Sequence, residues 1–238
     1  MRTPDSANEA RRRLILFAGL GIGAYALAML ATAPASLLVR NVPWRSGVAG
    51  TIWNGEVGVA GGSKLEWQLA PLRSLTSLGL AADWKASGPD TDLGGRALVH
   101  LGGRTVLDHV SGAADASLLQ AIQPDLPFTC KLVMQVEMAR IAVRGGSQMM
   151  DGKVTTDPGS CRPKSGGGST AVPALLLTAE HVGPRTTIRL TPATQRRQLL
   201  LDAVLGEDGM LDLGMSKDGA AALPFVGLPG GSRIQGKM

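Results

Sequence analysis

The chain has 238 residues, 44% of them hydrophobic but only 3% aromatic, with 32 glycines and a formal charge of +5. So few large side chains argue against a core built on aromatic packing and require many turns or closely packed strands instead. The positive charge is spread out and forms no basic stripe interleaved with aromatics, so nucleic acid is not an expected partner.

Met1 to Ala10 is short and polar, and is expected to be disordered. Arg11-Arg12-Arg13 follows, and then Leu14 to Ala33, LILFAGLGIGAYALAMLATA, without one charge. About 20 apolar residues in a helix span ~30 Å of hydrocarbon. The arginines keep the N-terminus in the cytoplasm and send Pro34 to Met238 across the membrane. A cleaved signal peptide is the rival reading, because Ala31-Thr32-Ala33 fits an A-x-A site. The apolar run is longer than the ~7–15 residues of a signal peptide's core, and Pro34 would follow the cut, which favours an uncleaved anchor. Arg11-Arg12 before Leu14-Ile15 faintly echoes a twin-arginine signal, though a plain basic flank explains it as well. A buried core helix of that length would carry some charge. Inside the span, Gly19 and Gly23 form a G-x-x-x-G face that lets two membrane helices approach closely. Gly19, Gly21 and Gly23 do not make a dinucleotide loop, since no strand precedes them.

Residues 34–46 read as a juxtamembrane connector, with Pro43-Trp44-Arg45 at the interface. From Gly47 short strands alternate with glycine. Val48 to Trp53 and Glu56 to Ala60 flank Asn54-Gly55, a hairpin signal. In Lys64 to Leu69, Leu65, Trp67 and Leu69 alternate with Lys64, Glu66 and Gln68, a half-buried strand ended by Pro71. Leu72 to Thr76 is a short turn. Leu78, Leu80 and Ala82 against Asp83 and Lys85 mark the next strand, and Leu93 to Leu101 and Thr105 to Val110 two more. Ala114 to Ile122 is the best soluble helix, with Asp115 near its start and Pro124 beyond its end. Leu132 to Arg140 alternates again, and Gly145-Gly146 turns it towards Met149 to Thr155. Pro163 to Ser169 is a flexible loop. Ala174 to His181, Thr186 to Thr191, Gln198 to Leu205 and Met210 to Met215 complete the series. Residues from Gly219 on read as a loose tail.

Ten to twelve such strands predict an all-β, largely antiparallel sheet, curved or half-barrel-like, following a single membrane helix. Leucine on one strand face only would leave an apolar surface on that sheet. The expected organisation is a cytoplasmic tail over 1–13, the span over 14–33, the connector over 34–46, a β domain over 47–218 and the tail over 219–238.

Two cysteines, Cys130 and Cys161, lie beyond the membrane. An even count in an oxidising compartment suggests one disulfide, with two free thiols as the alternative. A metal site is not expected: the spacing is not C-x-x-C, and His100, His109 and His181 make no paired motif. There is no G-x-S-x-G elbow, H-E-x-x-H or P-loop. Asp90, Asp92 and Gly94 lack the rest of a calcium loop. Asp108-His109 reads as a surface pair rather than a catalytic one. No catalysis and no cofactor are expected.

The order of a membrane span, Ala33-Pro34-Ala35-Ser36-Leu37, then Gly50-Thr51-Ile52-Trp53-Asn54-Gly55, then Trp67-Gln68-Leu69-Ala70-Pro71-Leu72, resembles type II secretion system protein N, the general secretion pathway N component. A cysteine pair in the second half is similar too. Related boxes occur in AsmA-like envelope proteins. The resemblance implies a non-enzymatic accessory component in the bacterial inner membrane. Its periplasmic β domain would contact other secretion subunits, on the inner-membrane platform or in the periplasm, and support export of folded proteins. The AsmA-like alternative implies lipid handling through a curved apolar sheet. Gly50, Trp53, Gly55, Trp67 and Pro71 are assigned structure rather than chemistry: turns at the glycines and a large apolar anchor at Trp53.

Overall fold

The computed structural model describes residues 4–37, 45–59, 62–143 and 148–237. The interfacial placing of Pro43 and Trp44 and the Gly145-Gly146 turn lie outside them. Helix α1 spans Pro4–Ala31. Its portion Arg11–Ala31 is long and apolar enough to cross a membrane, and the rest of the chain buries none of it. The segment expected to be disordered is therefore helical from Pro4. Proline suits a first helical position, where its missing N–H has no partner to lose, and Ala, Glu and Arg after it favour helix.

A 3-10 turn at Ala35–Leu37 leads to β1 (Arg45–Gly50), β2 (Asn54–Val59), β3 (Ser63–Leu69), helix α2 (Pro71–Thr76), β4 (Gly79–Gly88), β5 (Thr91–His100) and β6 (Thr105–Asp115). Then come α3 (Ala116–Ile122), β7 (Phe128–Lys131), β8 (Val133–Val143), β9 (Met149–Thr156), β10 (Gly159–Pro163) and β11 (Thr170–Val172). The chain continues through β12 (Leu175–Val182), β13 (Arg185–Pro192), β14 (Leu201–Gly206), β15 (Met210–Met215), α4 (Lys217–Ala222) and β16 (Arg233–Lys237). Thirteen strands form one sheet in the order β1-β2-β3-β4-β5-β6-β8-β9-β12-β13-β14-β15-β16, and β11-β10-β7 form a small second one. Both are antiparallel, and the large sheet is open, with β1 and β16 at its edges. The all-β antiparallel fold behind one apolar helix is thus the observed one.

Antiparallel pairing makes successive connections alternate between the two ends of the sheet. One end collects the β1–β2 turn, α2 and the β5–β6, β12–β13 and β14–β15 turns. The other collects α3, the small sheet and α4.

The alternation in β3 sorts its side chains as expected. Leu65 pairs across to Ala86 and Trp67 to Trp84 on the apolar face. There Val59, Ala86, Ala114 and Leu118 bury together, and further along Val110, Met138 and Ala179 do the same. The opposite face carries exposed cross-strand ion pairs, among them Lys85–Asp92 at 2.8 Å, Arg140–Asp108 at 2.7 Å and Lys153–Glu137 at 2.9 Å. Such pairs keep that face wet and contribute little to stability. Register shifts between Gly94 and Arg96 and between Met138 and Arg140 are bulges, which bend a strand and increase its twist.

Several boundaries move. The β1–β2 hairpin forms, but its connection is Thr51 to Trp53, and Asn54-Gly55 open β2 with Gly55 opposite Gly50. Leu72 to Thr76 is part of helix α2, with Pro71 in its first turn. Ala114 belongs to β6, and α3 starts at Ala116 because the Asp115 side chain accepts a hydrogen bond from Ser117 N at 2.8 Å and caps it. Pro163 and Ser169 bracket a turn between β10 and the short β11. The residues beyond Gly219 are not a loose tail. Leu223 and Phe225 are buried in a cluster with Leu175 and Leu200, and β16 pairs with β15. Glycine and proline between them conceal two apolar anchors.

Candidate functional site: the helix–sheet junction and an apolar cavity

A helix leaves its last carbonyls without intrahelical partners, which is costly where water is scarce. Here the sheet supplies donors. Trp53 Nε1 donates to Leu30 O at 2.9 Å. Ile52 N donates to Ala33 O at 2.9 Å. Pro34 bridges to Thr51, and Ala35 is buried beneath the β1–β2 turn. The turn itself is closed by Thr51 N donating to Asn54 O at 2.8 Å and by Thr51 Oγ1 bonding Asn54 Oδ1 at 3.0 Å.

Both glycines of the box are needed for this geometry. Gly50 has φ +87°, the left-handed region that favours glycine. Gly55 lies against the ring of Trp67: a Cβ there would sit 2.5 Å from Trp67 Cζ2 and 3.0 Å from Ala49 O. That close approach lets Trp67 Nε1 donate to Ile52 O at 3.2 Å. Two indoles thus hold consecutive residues of one turn, Trp67 gripping Ile52 and Trp53 reaching back to α1. Pro71 continues the series by starting α2, whose Ser74 Oγ donates to Ala70 O at 2.9 Å and accepts from Ala81 N at 2.9 Å. Gly50, Trp53, Gly55, Trp67 and Pro71 are therefore gathered at one end of the sheet, where Gly50, Gly55 and Trp67 shape the turn from which Trp53 bonds α1. Replacing Gly55 by valine is expected to push Trp67 off Ile52 and destabilise the fold by about 1–3 kcal/mol. Denaturant titration of the full-length protein in detergent reads this. Trp67→Leu in the same background should recover part of the loss, and a Gly55→Val midpoint equal to the parent's would refute the packing role.

Gly19 and Gly23 lie on α1 with nothing within 4 Å of where a Cβ would stand. Asp108 is engaged by Arg140, and His109 sits at the β6 bulge with φ +53°. Lys85 hydrogen-bonds Asp92, which raises the lysine's pKa above its ordinary value and keeps it charged. Among the described residues no group of three or more His, Cys, Asp or Glu side chains could hold a metal.

At the opposite end, sequence reading missed a second feature. Cys130 and Cys161 face each other in the β7–β10 pair and form a disulfide. It ties β7 to β10 within the small sheet, which packs over the apolar face of the large one. Between them lies a cavity of about 470 Å³, lined almost wholly by apolar side chains such as Leu132, Leu190, Leu213, Leu223 and Phe225. Phe128 and Phe225 meet edge to face across it, with ring centroids 5.1 Å apart. A pocket of this size and lining suits an apolar ligand. Its lining comes from segments far apart in sequence, so no local pattern announces it.

Compared with known proteins, residues 43–225 match the family described as type II secretion system (T2SS), protein N. No curated protein and no solved structure matches the chain.

Proposed function

Because the chain belongs to the type II secretion system protein N family, we propose that it is a non-enzymatic accessory component of that machine, fixed in the inner membrane by α1 with its β domain in the periplasm. Residues 1–13 then form the cytoplasmic end, 14–33 the span, 34–46 the connector and the remainder the periplasmic unit. The observation that carries this reading is the junction, where Trp53 and Ile52 tie the last turn of an otherwise unpacked apolar helix to the sheet. A helix bonded so directly to its domain suits an anchor better than a leader that is cut away. The open edges β1 and β16 offer unpaired backbone groups to other secretion subunits by strand addition. Gly19 and Gly23 offer a close-packing face to a second membrane helix.

Deleting the protein should reduce export of folded exoproteins. An alkaline phosphatase fused after Met238 should be active, and a fluorescent protein that folds only in the cytosol should stay dark there. A bright cytosolic reporter with inactive phosphatase would reverse the topology. Unimpaired export under every condition would remove the secretion role.

The apolar cavity favours a second reading, lipid handling of the AsmA-like kind. Phospholipid that stays with the β domain through purification would mark it.

A further inference from the structure

The end of the sheet that receives α1 is also where the protein leaves its apolar side chains bare. Leu72 and Leu75 on α2 are 82% and 76% exposed, Leu78 just after it 74%, Leu101 in the β5–β6 turn 89%, and Val182 at the β12–β13 turn 70%. Met210, opening β15, is exposed at the same end. Among the described residues outside α1, the large apolar side chains left exposed cluster at or beside this end, and only Leu119 and Ile234 lie elsewhere. A soluble rim studded in this way would be an association hazard.

The occupant follows from what leaves the same rim. The residues bonded to the sheet are Leu30, in the last turn of the apolar helix, and Ala33, just beyond its end. The surface of a bilayer crossed by α1 must therefore lie at the level of the β1–β2 turn. The leucine-bearing turns sit on the end of the sheet that faces that surface. Arginines stand beside three of the apolar tips: Arg73 between Leu72 and Leu75, already paired with Asp83 at 2.8 Å, Arg104 after Leu101, and Arg185 paired across from Val182, of which the exposed Arg185 is the one placed to reach lipid phosphates. At Met210 the neighbours are Glu207 and Asp208 instead.

We propose that this rim is seated in the outer-leaflet interface of the membrane that α1 spans, with Leu72, Leu75, Leu78 and Leu101 dipping into the headgroup region. The sheet is then held at several points and stands on the membrane rather than swinging from one helix. This rests on the anchoring of α1, and deepens it by naming a lipid surface as a second partner of the β domain.

The test uses the full chain, disulfide intact, in vesicles of phosphatidylethanolamine and phosphatidylglycerol. Single cysteines replace Leu75, Leu101, Leu119 or Leu20, and each carries an environment-sensitive fluorophore. Labels at 75 and 101 should emit to the blue of the label at 119, be quenched by brominated lipid, and react with an aqueous quencher several-fold less than 119 does. Leu20→Cys should report the bilayer interior. If 20 is shielded but 75 and 101 are as open to water as 119, the seated rim is wrong and the anchor stands. If 75 and 101 are shielded from water without being quenched by brominated lipid, a second copy of the chain covers them and the proposal falls. If 20 itself is open to water, anchoring fails and the rim with it.

Discussion

Removing the Cys130–Cys161 bridge, as the double variant Cys130→Ala with Cys161→Ala, is expected to produce a large loss of stability. The bridge closes a loop of 31 residues, which in the chain-entropy model is worth about 3–4 kcal/mol. For a domain of this length that corresponds to a fall in Tm of roughly 6–16 °C. Calorimetry of the full chain in detergent, oxidised against reduced and against the double variant, reads it directly. The physical reason is local. Strands β7, β10 and β11 have four, five and three residues, too few to hold a separate sheet in place unaided. Coincident melting of oxidised and reduced protein would show that the small sheet is held by packing alone. A thiol titration under denaturing, non-reducing conditions should find no reactive cysteine.

Phe225→Ala is expected to be of similar size, about 3–5 kcal/mol, because a buried aromatic is lost and the surroundings collapse only partly. Phe225 is 7% exposed and packs on Phe128, Leu200 and Leu223 through residues that follow α4. The variant also enlarges the apolar cavity. If the cavity takes an acyl chain, a saturating fatty acid should raise the parent's Tm by mass action, and by a different amount in the variant. An unchanged parent Tm across fatty acids and phospholipids would remove the lipid reading and leave the secretion reading untouched. A Phe225→Ala protein as stable as the parent would mean that the C-terminal segment does not help close the core.

Much of this fold could be read from the residues because it obeys local rules. The apolar run after Arg13 has one sensible conformation in lipid. The strict alternation from Lys64 to Leu69 assigns a face to each side chain before any partner is known. Asn54-Gly55 misled because turn propensity is only one use for glycine. Gly55 is needed flat under Trp67, so the reversal passes to Gly50, whose left-handed backbone starts the turn five residues earlier. The C-terminal segment misled for a related reason. Leu223 and Phe225 show no period among glycines and prolines, and their burial depends on a surface made by β10, β12 and α4. The box residues Gly50, Trp53, Gly55, Trp67 and Pro71 were recognisable as a set, but the bonds that Trp53 and Trp67 make were not, since two indole hydrogen bonds to backbone carbonyls leave no mark in sequence. The bare leucines of the rim were individually visible. Only strand order reveals that Leu72, Leu101 and Val182 share an end.

The order of the strands has one more consequence. Most neighbours in the large sheet are also neighbours in the chain, so contacts form over short loops, the condition under which sheets assemble fastest. A polypeptide delivered through a membrane from its anchored end emerges in that same order. With α1 as the proposed anchor, each hairpin would zip onto the one before it while the rest is still in transit, starting from the edge that Trp53 bonds to α1. Growth stops at β16, so the last edge completed is also the one furthest along the sheet from the point of attachment.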